Sequence, residues 1–157
     1  MDLLRRFGPD LYKRALEDWS WLMGGRQAEP VAASPFGDLF LQAADGVWFL
    51  DLLEGTFTMQ WPDLASLQSA LSTPEGHDEL LMAGLALAAD SRGVTPGEGE
   101  VLAFKIPPVL GGAIDIDNLE TMGYVVASSI AGQLHRQVKD LPAGTTISGF
   151  SLSDENS

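Results

Sequence analysis

Few side chains in this sequence are of the types that carry out catalysis. The chain has no cysteine, which excludes disulfides, thiolate metal sites and cysteine nucleophiles. Its two histidines, His77 and His135, are far apart in sequence and follow no metal-binding spacing. His77 falls in the first turn of a predicted helix, where the helix dipole disfavours a charged imidazole. We expect both histidines to lie at the surface or to be satisfied by hydrogen bonds within the fold.

Two short motifs resemble ligand-binding sequences. Residues 97–100 (GEGE) begin like a dinucleotide-binding loop, but Leu102 stands at the third glycine position and the motif precedes a strand. Residues 115–120 (DIDNLE) have the carboxylate spacing of a calcium loop, but Glu120 occupies the position that requires glycine. A capping box of Asp117 and Glu120 explains the second motif more simply. We therefore expect no metal and no cofactor.

The chain is strongly acidic, and its acidity is unevenly distributed. Its 157 residues include nine Lys plus Arg and 22 Asp plus Glu, a formal net charge of -13. No lysine or arginine occurs in residues 27–91, although ten acidic residues do. Nucleic acid and anionic membranes both require cationic protein groups, so neither is an expected partner. The acidic surface serves either solubility or the docking of a basic protein.

The four tryptophans all lie within the first 61 residues. Trp19 and Trp61 fall on periodic apolar faces and are predicted to be core residues. Trp21 and Trp48 are next to residues of those faces, so either could be exposed. An exposed tryptophan beside carboxylates is typical of a protein-binding hot spot.

The N-terminal half is predicted to form one helix and an antiparallel β meander. The helix begins at a capping Asp10 and ends at about Met23, before two glycines, and a linker occupies residues 26–35. The dipeptide Asp45-Gly46 is typical of a tight hairpin turn. In the third strand Phe57, Met59 and Trp61 alternate with polar residues, which predicts that all three share the buried face. The predicted strands are 38–42, 47–51 and 56–61.

The C-terminal half alternates between helical and strand patterns. Leucines at 64, 67 and 71 predict a short helix after Pro62 and Asp63, and Thr73 and Pro74 open a longer helix that runs to about Arg92. The remaining predicted elements are strands at 101–106 and 124–127, a helix at 128–140 and a short strand at 145–150. We predict a single-domain α+β fold in which an antiparallel sheet packs with helices. Its parts are an N-terminal helix and linker (1–34), the α+β domain (35–150) and a disordered tail (151–157).

Seven short segments occur in the order found in one protein family. They are residues 19–22 (WSWL), 35–40 (PFGDLF), 45–51 (DGVWFLD), 107–112 (PPVLGG), 117–120 (DNLE), 130–135 (IAGQLH) and 140–145 (DLPAGT). From about residue 19 to 150 the chain resembles the C-terminal domain of the type VI secretion DNase-immunity proteins. The resemblance implies a cytoplasmic antitoxin that binds and blocks a cognate nuclease, with no catalytic residues and no cofactor.

The acidic meander is the expected binding surface for such a toxin. A nuclease must present cationic groups to hold phosphate, so carboxylates could cover its DNA-binding cleft. Two other classes stay open: a ligand-sensing module whose Gly111-Gly112 loop holds a small molecule, and a hydrolase that uses a pair of carboxylates. The residues predicted to contact the toxin are Asp38, Asp45, Trp48, Asp51, Glu54 and Asp63.

Overall fold

The computed structural model describes residues 3–141 and has an α+β fold, as the sequence predicts. The predicted strand at 145–150 and the tail at 151–157 lie outside the described residues. The strands are β1 (Glu29–Ala33), β2 (Leu39–Ala43), β3 (Gly46–Asp51), β4 (Thr56–Trp61), β5 (Glu100–Phe104) and β6 (Leu119–Gly123). The helices are α1 (Pro9–Leu16), α2 (Ser20–Met23), α3 (Leu64–Leu71), α4 (Pro74–Leu81), α5 (Ala83–Ser91) and α6 (Tyr124–Val138).

The predicted N-terminal helix is present in two parts, α1 and α2, which a 3-10 turn at Glu17–Trp19 joins. The prediction of an Asp10 cap is wrong, because α1 begins at Pro9 and its N-cap is Gly8. Proline suits the first helical position, where its missing N–H has no partner to lose. The buried Trp19 donates from Nε1 to the Ser128 carbonyl oxygen at 3.0 Å and thereby ties this segment to α6.

β1 to β4 form an antiparallel sheet in sequence order, so the predicted three-stranded meander is confirmed and one strand is added. The additional strand, β1, lies within the predicted linker at 26–35. Its pattern is weak because it contains Pro30 and two small alanines, residues that rarely mark a strand. Proline is tolerated here because β1 is an edge strand, and the register shifts between Pro30 and Ala32.

A β-bulge in β4 changes which face of the sheet its side chains lie on. Trp48 pairs with Met59 whereas Val47 pairs with Trp61, so Gln60 is an extra residue in the ladder. The prediction that Phe57, Met59 and Trp61 share one buried face is therefore wrong. Trp61 packs with Phe40 and Phe49 on one side of the sheet, and Phe57 stacks on Trp48 on the other. Met59 is 47% exposed.

Three predictions for the C-terminal half are corrected. The helix at 74–92 is divided into α4 and α5 by Met82, which has a φ of +49°. The strand predicted at 124–127 is the first turn of α6, and β6 precedes it. The capping box of Asp117 and Glu120 is absent, because Glu120 lies in β6 and Asp115 caps the short turn before it by accepting from the Asp117 N–H.

The core consists of three apolar clusters on the two faces of the main sheet and against the smaller one. Leu39, Leu41 and Leu50 pack toward α1 and α6, whereas Phe40, Val47 and Phe49 pack toward α3 and α4. β2 and β3 are thus buried on both faces. A third cluster joins α5 to β5 and β6. The turns and the outer strands of the sheet are left to present polar side chains.

Candidate functional site

The six predicted toxin-binding residues are divided between two ends of the sheet. Asp45 precedes β3 and Asp63 follows β4, so both lie at one end. Asp51 closes β3 and Glu54 lies in the turn to β4, at the opposite end. A strand rises about 3.3 Å per residue, so the six residues of β3 separate the ends by roughly 17 Å. The carboxylates form two groups along one strand pair.

At the first end Asp45, Trp48 and Arg26 form a compact cluster. Trp48 Nε1 donates to Asp45 Oδ1 at 3.0 Å, and an Arg26 guanidinium nitrogen lies 3.2 Å from Asp45 Oδ2. The same guanidinium lies 4.0 Å from the centre of the Trp48 ring. The tryptophan hydrogen bond, with the charge of Arg26, holds the pKa of Asp45 below its usual range. Asp45 therefore positions a half-buried aromatic ring while its own charge is matched by a cation.

Asp63, at the same end, caps helix α3. Its Oδ1 accepts from the Ser66 backbone N–H at 2.8 Å and from the Ser66 hydroxyl at 2.7 Å. These hydrogen bonds lower the pKa of Asp63, which is exposed and therefore ionised at neutral pH.

At the second end Asp51 and Glu54 belong to the β3–β4 turn. Asp51 Oδ1 accepts from the N–H groups of Leu53 at 2.9 Å and Glu54 at 3.0 Å. The Glu54 side chain is exposed. Within residues 3–141, no lysine, arginine or histidine forms an ion pair with Asp51, Glu54 or Asp63. None of the three thus has a protein counter-charge among the described residues, and Glu54 and Asp63 are exposed whereas Asp51 is half-buried.

Asp38 differs from the other five because it is buried. Its Oδ1 accepts from the Leu52 N–H at 2.7 Å and its Oδ2 from the Ser34 hydroxyl at 2.7 Å. Burial, followed by the nearby Asp51 carboxylate, raises the pKa of Asp38 to about 7. The Asp38 carboxyl is held inside the fold and is not available at the protein surface.

Asp38 and His135 line a mostly apolar cavity of about 100 Å³. His135 Nε2 lies 2.9 Å from the Leu52 carbonyl oxygen, and burial lowers the pKa of His135, so a neutral imidazole donates to that oxygen. Both side chains are therefore anchored on Leu52, Asp38 through its N–H and His135 through its carbonyl. His135 is satisfied within the fold, as the sequence predicts.

The Gly111-Gly112 loop is held by the protein itself. The Asn118 amide donates to the carbonyl oxygens of Ile106 and Ala113 at 2.8 Å each and accepts from the Ile106 N–H at 2.9 Å. A Cβ on Gly112 would collide with the Ile106 carbonyl oxygen. Gly111 ends the preceding 3-10 turn with a φ of +97°, so both glycines have a structural explanation. In the described part of the chain no group of three or more His, Asp or Glu side chains is arranged to hold a metal.

Sequence reasoning missed Arg26 and the exposed isoleucines of the loop between β5 and β6. Arg26 lies in the segment predicted as a linker, and only the pairing of β1 with β2 indicates that it could approach Trp48. Ile106 and Ile114 are each 57% exposed, whereas the Pro107-Pro108 and Gly111-Gly112 pairs predict only that a loop lies there. None of the helices in residues 3–141 has the length and apolar character needed to span a bilayer.

Comparison with known proteins shows that one segment of the chain is similar to a described family. Residues 63–135, from the cap of α3 to His135, match the family described as T6SS immunity protein Tdi1, C-terminal, where T6SS is the type VI secretion system. No curated protein matches the chain. The crystal structure of Atu4351 from Agrobacterium tumefaciens is similar, with a TM-score of 0.59 at 15% identity, over 83% of this chain.

That likeness shows a shared fold. The chain spans 66% of the length of the Agrobacterium tumefaciens protein, just under two thirds. The family match covers α3 to α6 with the smaller sheet, and β1 to β4 lie before it. The similarity to the T6SS immunity protein family thus extends over residues 63–135 of this chain.

Proposed function

We propose that this protein is a cytoplasmic immunity protein that binds a cognate T6SS effector, a basic DNase, and inhibits it without catalysis or a cofactor. The observation that carries the proposal is the match of residues 63–135 to the Tdi1 immunity family. An immunity protein of this kind acts by occupying its toxin, so it needs a complementary surface rather than reactive groups.

The charge distribution supports a basic nuclease as the partner. A protein that binds DNA must present lysines and arginines to the phosphates. Residues 27–91 contain no lysine or arginine, and Asp51, Glu54 and Asp63 are free of ion pairs in the described residues. Opposite charges on two proteins raise their association rate and align their surfaces. The acidic sheet would cover the cationic cleft and exclude DNA from it.

The proposal is tested with the tagged full chain, purified from its own cells under conditions in which T6SS effectors are expressed. We expect a basic protein to co-elute with the chain. Once separated, this protein should cleave plasmid DNA, and the cleavage should stop when the chain is added back. A co-eluting protein with no nuclease activity would overturn the DNase part of the proposal. Repeated absence of any inhibited effector would overturn the whole of it.

Charge-reversal variants then test the surface. Asp51→Lys with Glu54→Lys should weaken inhibition, because the exposed Glu54 and the half-buried Asp51 belong to the same turn at one end of the sheet. Glu98→Lys is the control, since Glu98 is exposed in the loop before β5, outside the meander. If Glu98→Lys weakened inhibition as much as Asp51→Lys or Glu54→Lys alone, the proposed binding face would be wrong. The proposed inhibition of a nuclease would not be affected by that result.

A further inference from the structure

The main sheet has one protected edge and one open edge. At β1 the outer edge is bridged by the N-terminal segment, where Arg5 and Ala33 exchange two backbone hydrogen bonds of 2.8 Å. At β4, the other outer strand, no backbone hydrogen bond within residues 3–141 joins the outer edge to another element. Alternate N–H and C=O groups of an edge strand point away from the sheet and are available to a further strand.

β4 lacks several of the features that normally protect an edge, although α2 and α3 lie beside the strand. Its six residues, Thr56–Trp61, include no charged side chain and no proline. Thr58, Met59 and Gln60 are exposed. The only irregularity is the bulge at Gln60, so the register from Thr56 to Met59 is regular. Natural proteins commonly place lysine, proline or a covering element at such an edge.

The side chains beside this edge can receive an added strand. Phe57 stacks on Trp48 with ring centres 4.7 Å apart, and Met59 pairs with Trp48 in the same ladder while remaining 47% exposed. Arg26 and Asp45 fix the far side of the Trp48 ring. Side chains of an added strand alternate between the two faces, so every second one would contact this apolar surface.

The charges at the two ends of β4 indicate which kind of strand can pair with its outer edge. Asp51 and Glu54 lie where β4 begins, and Asp63 lies where it ends. A second copy of this chain in antiparallel pairing would place Glu54 beside the other copy's Asp63, and parallel pairing would place like residues together. Since residues 27–91 contain no cation, both arrangements are repulsive. A strand with lysine or arginine near each end would instead be attracted by the carboxylates at both ends of β4.

We propose that the outer edge of β4 is the docking site for an extended, basic segment of the effector, which adds to the sheet as a fifth strand. This inference rests on the proposed immunity function and specifies how the partner is held. Backbone hydrogen bonds would supply affinity independent of sequence, and the acidic ends with the Trp48, Phe57 and Met59 surface would select the segment.

Hydrogen-deuterium exchange on the full chain tests the inference, with the effector captured from its own cells as the probe. We expect amides of residues 56–61 to exchange more slowly in the complex than in the free chain, whereas those of β1 are unchanged. An inhibited complex without added protection in β4 overturns the inference and leaves the proposed function intact. If no inhibited effector is captured, both fall. A β4-mediated dimer of the free chain in sedimentation experiments would overturn the choice of occupant.

A pair of variants separates edge pairing from charge. Thr58→Lys places a charge on the exposed edge strand, and Gln68→Lys makes the same change in charge on the exposed side of α3. We expect Thr58→Lys to weaken binding by roughly tenfold or more, as substitutions at the centre of an interface do, and Gln68→Lys to have a much smaller effect. Equal losses would show that charge alone is sensed and would overturn strand addition. Circular dichroism melts confirm that both variants are folded.

Discussion

The buried carboxyl group of Asp38 opposes folding when it is ionised. Its pKa is raised to about 7 by burial and by the Asp51 carboxylate, against about 3.9 for an unfolded chain. The folded state therefore binds this proton more tightly. The stability that the protonated carboxyl provides is complete below about pH 4 and is lost progressively as the pH rises to about 7. His135 acts in the opposite sense, because its lowered pKa makes the folded state gain stability as the pH rises toward 6.5.

Substitution of Asp38 by asparagine isolates the contribution of this carboxyl. Asparagine keeps an oxygen for the Leu52 N–H and cannot ionise, and its amide nitrogen replaces the oxygen that accepts from the Ser34 hydroxyl, a loss that does not vary with pH. We expect the unfolding free energy of the wild type, relative to Asp38→Asn, to fall between pH 4 and pH 7 by an amount on the order of a few kcal/mol. Urea denaturation at several pH values measures it, and the His135 effect cancels in the difference. A difference that does not vary with pH would contradict the raised pKa.

The sequence predicts single residues well where one local interaction decides their role. Thr73 caps its helix as predicted by accepting from the Gly76 N–H, and Asp63, predicted to open α3, accepts from the Ser66 N–H in the same way. Asp38 could not be assigned this way, because its carboxyl is held by the N–H of Leu52, a residue of the β3–β4 turn, 14 positions later. Arg26 is likewise brought to Trp48 by strand pairing between distant segments.

Among the elements, the β3–β4 turn connects the acidic end of the sheet to α6. Gly55 closes this turn with a φ of +70°, and its N–H donates to the Asp51 carbonyl oxygen at 2.9 Å. A Cβ at Gly55 would collide with the His135 ring. The turn thus requires glycine twice, for its backbone conformation and for the approach of the helix.

Replacement of Gly55 by alanine should destabilise the fold more than the same change at a glycine with open surroundings. Gly93 has a φ of +81° and no neighbour that a Cβ would meet, so Gly93→Ala should cost about 1 kcal/mol from left-handed strain alone. We expect Gly55→Ala to cost at least about 1 kcal/mol more, because it also displaces a packed side chain. Thermal or urea unfolding compares the two variants. Equal losses would mean that the turn moves away from His135 without cost.

The sequence gives wrong boundaries for those elements whose ends are determined by contacts with distant residues. Nothing in residues 74–92 marks a break at Met82, since methionine is a good helix former. The two helices separate because they bury different faces, Leu81 in the cluster under β2 and β3, and Ala86 and Ala89 against β5 and β6. Tyr124–Ala127 has strand-like residues, but it forms the first turn of α6, where Tyr124 is buried.

At the scale of the whole molecule, the fold determines where the net charge of -13 lies on the surface. The meander turns and the start of α3 carry unpaired carboxylates at both ends of an open strand. By contrast, the exposed acids Asp45 and Asp117 are paired with Arg26 and Arg92. These carboxylates therefore add to the negative field at both ends of β4. Long-range attraction of this kind acts on the encounter of two proteins more than on the lifetime of their complex.

The association rate with the captured basic effector should accordingly depend steeply on salt. The screening length shortens from about 10 Å at 0.1 M to about 3 Å at 1 M, so we expect a fall of roughly tenfold or more in the association rate and a smaller change in the dissociation rate. Neutralising Asp51, Glu54 and Asp63 with their amides should flatten this dependence, and asparagine at 63 still caps α3. The matched control neutralises three exposed acids elsewhere, Asp10, Glu17 and Glu98. If stopped-flow measurements give the same salt dependence for both triple variants, net charge rather than the β4 field steers binding.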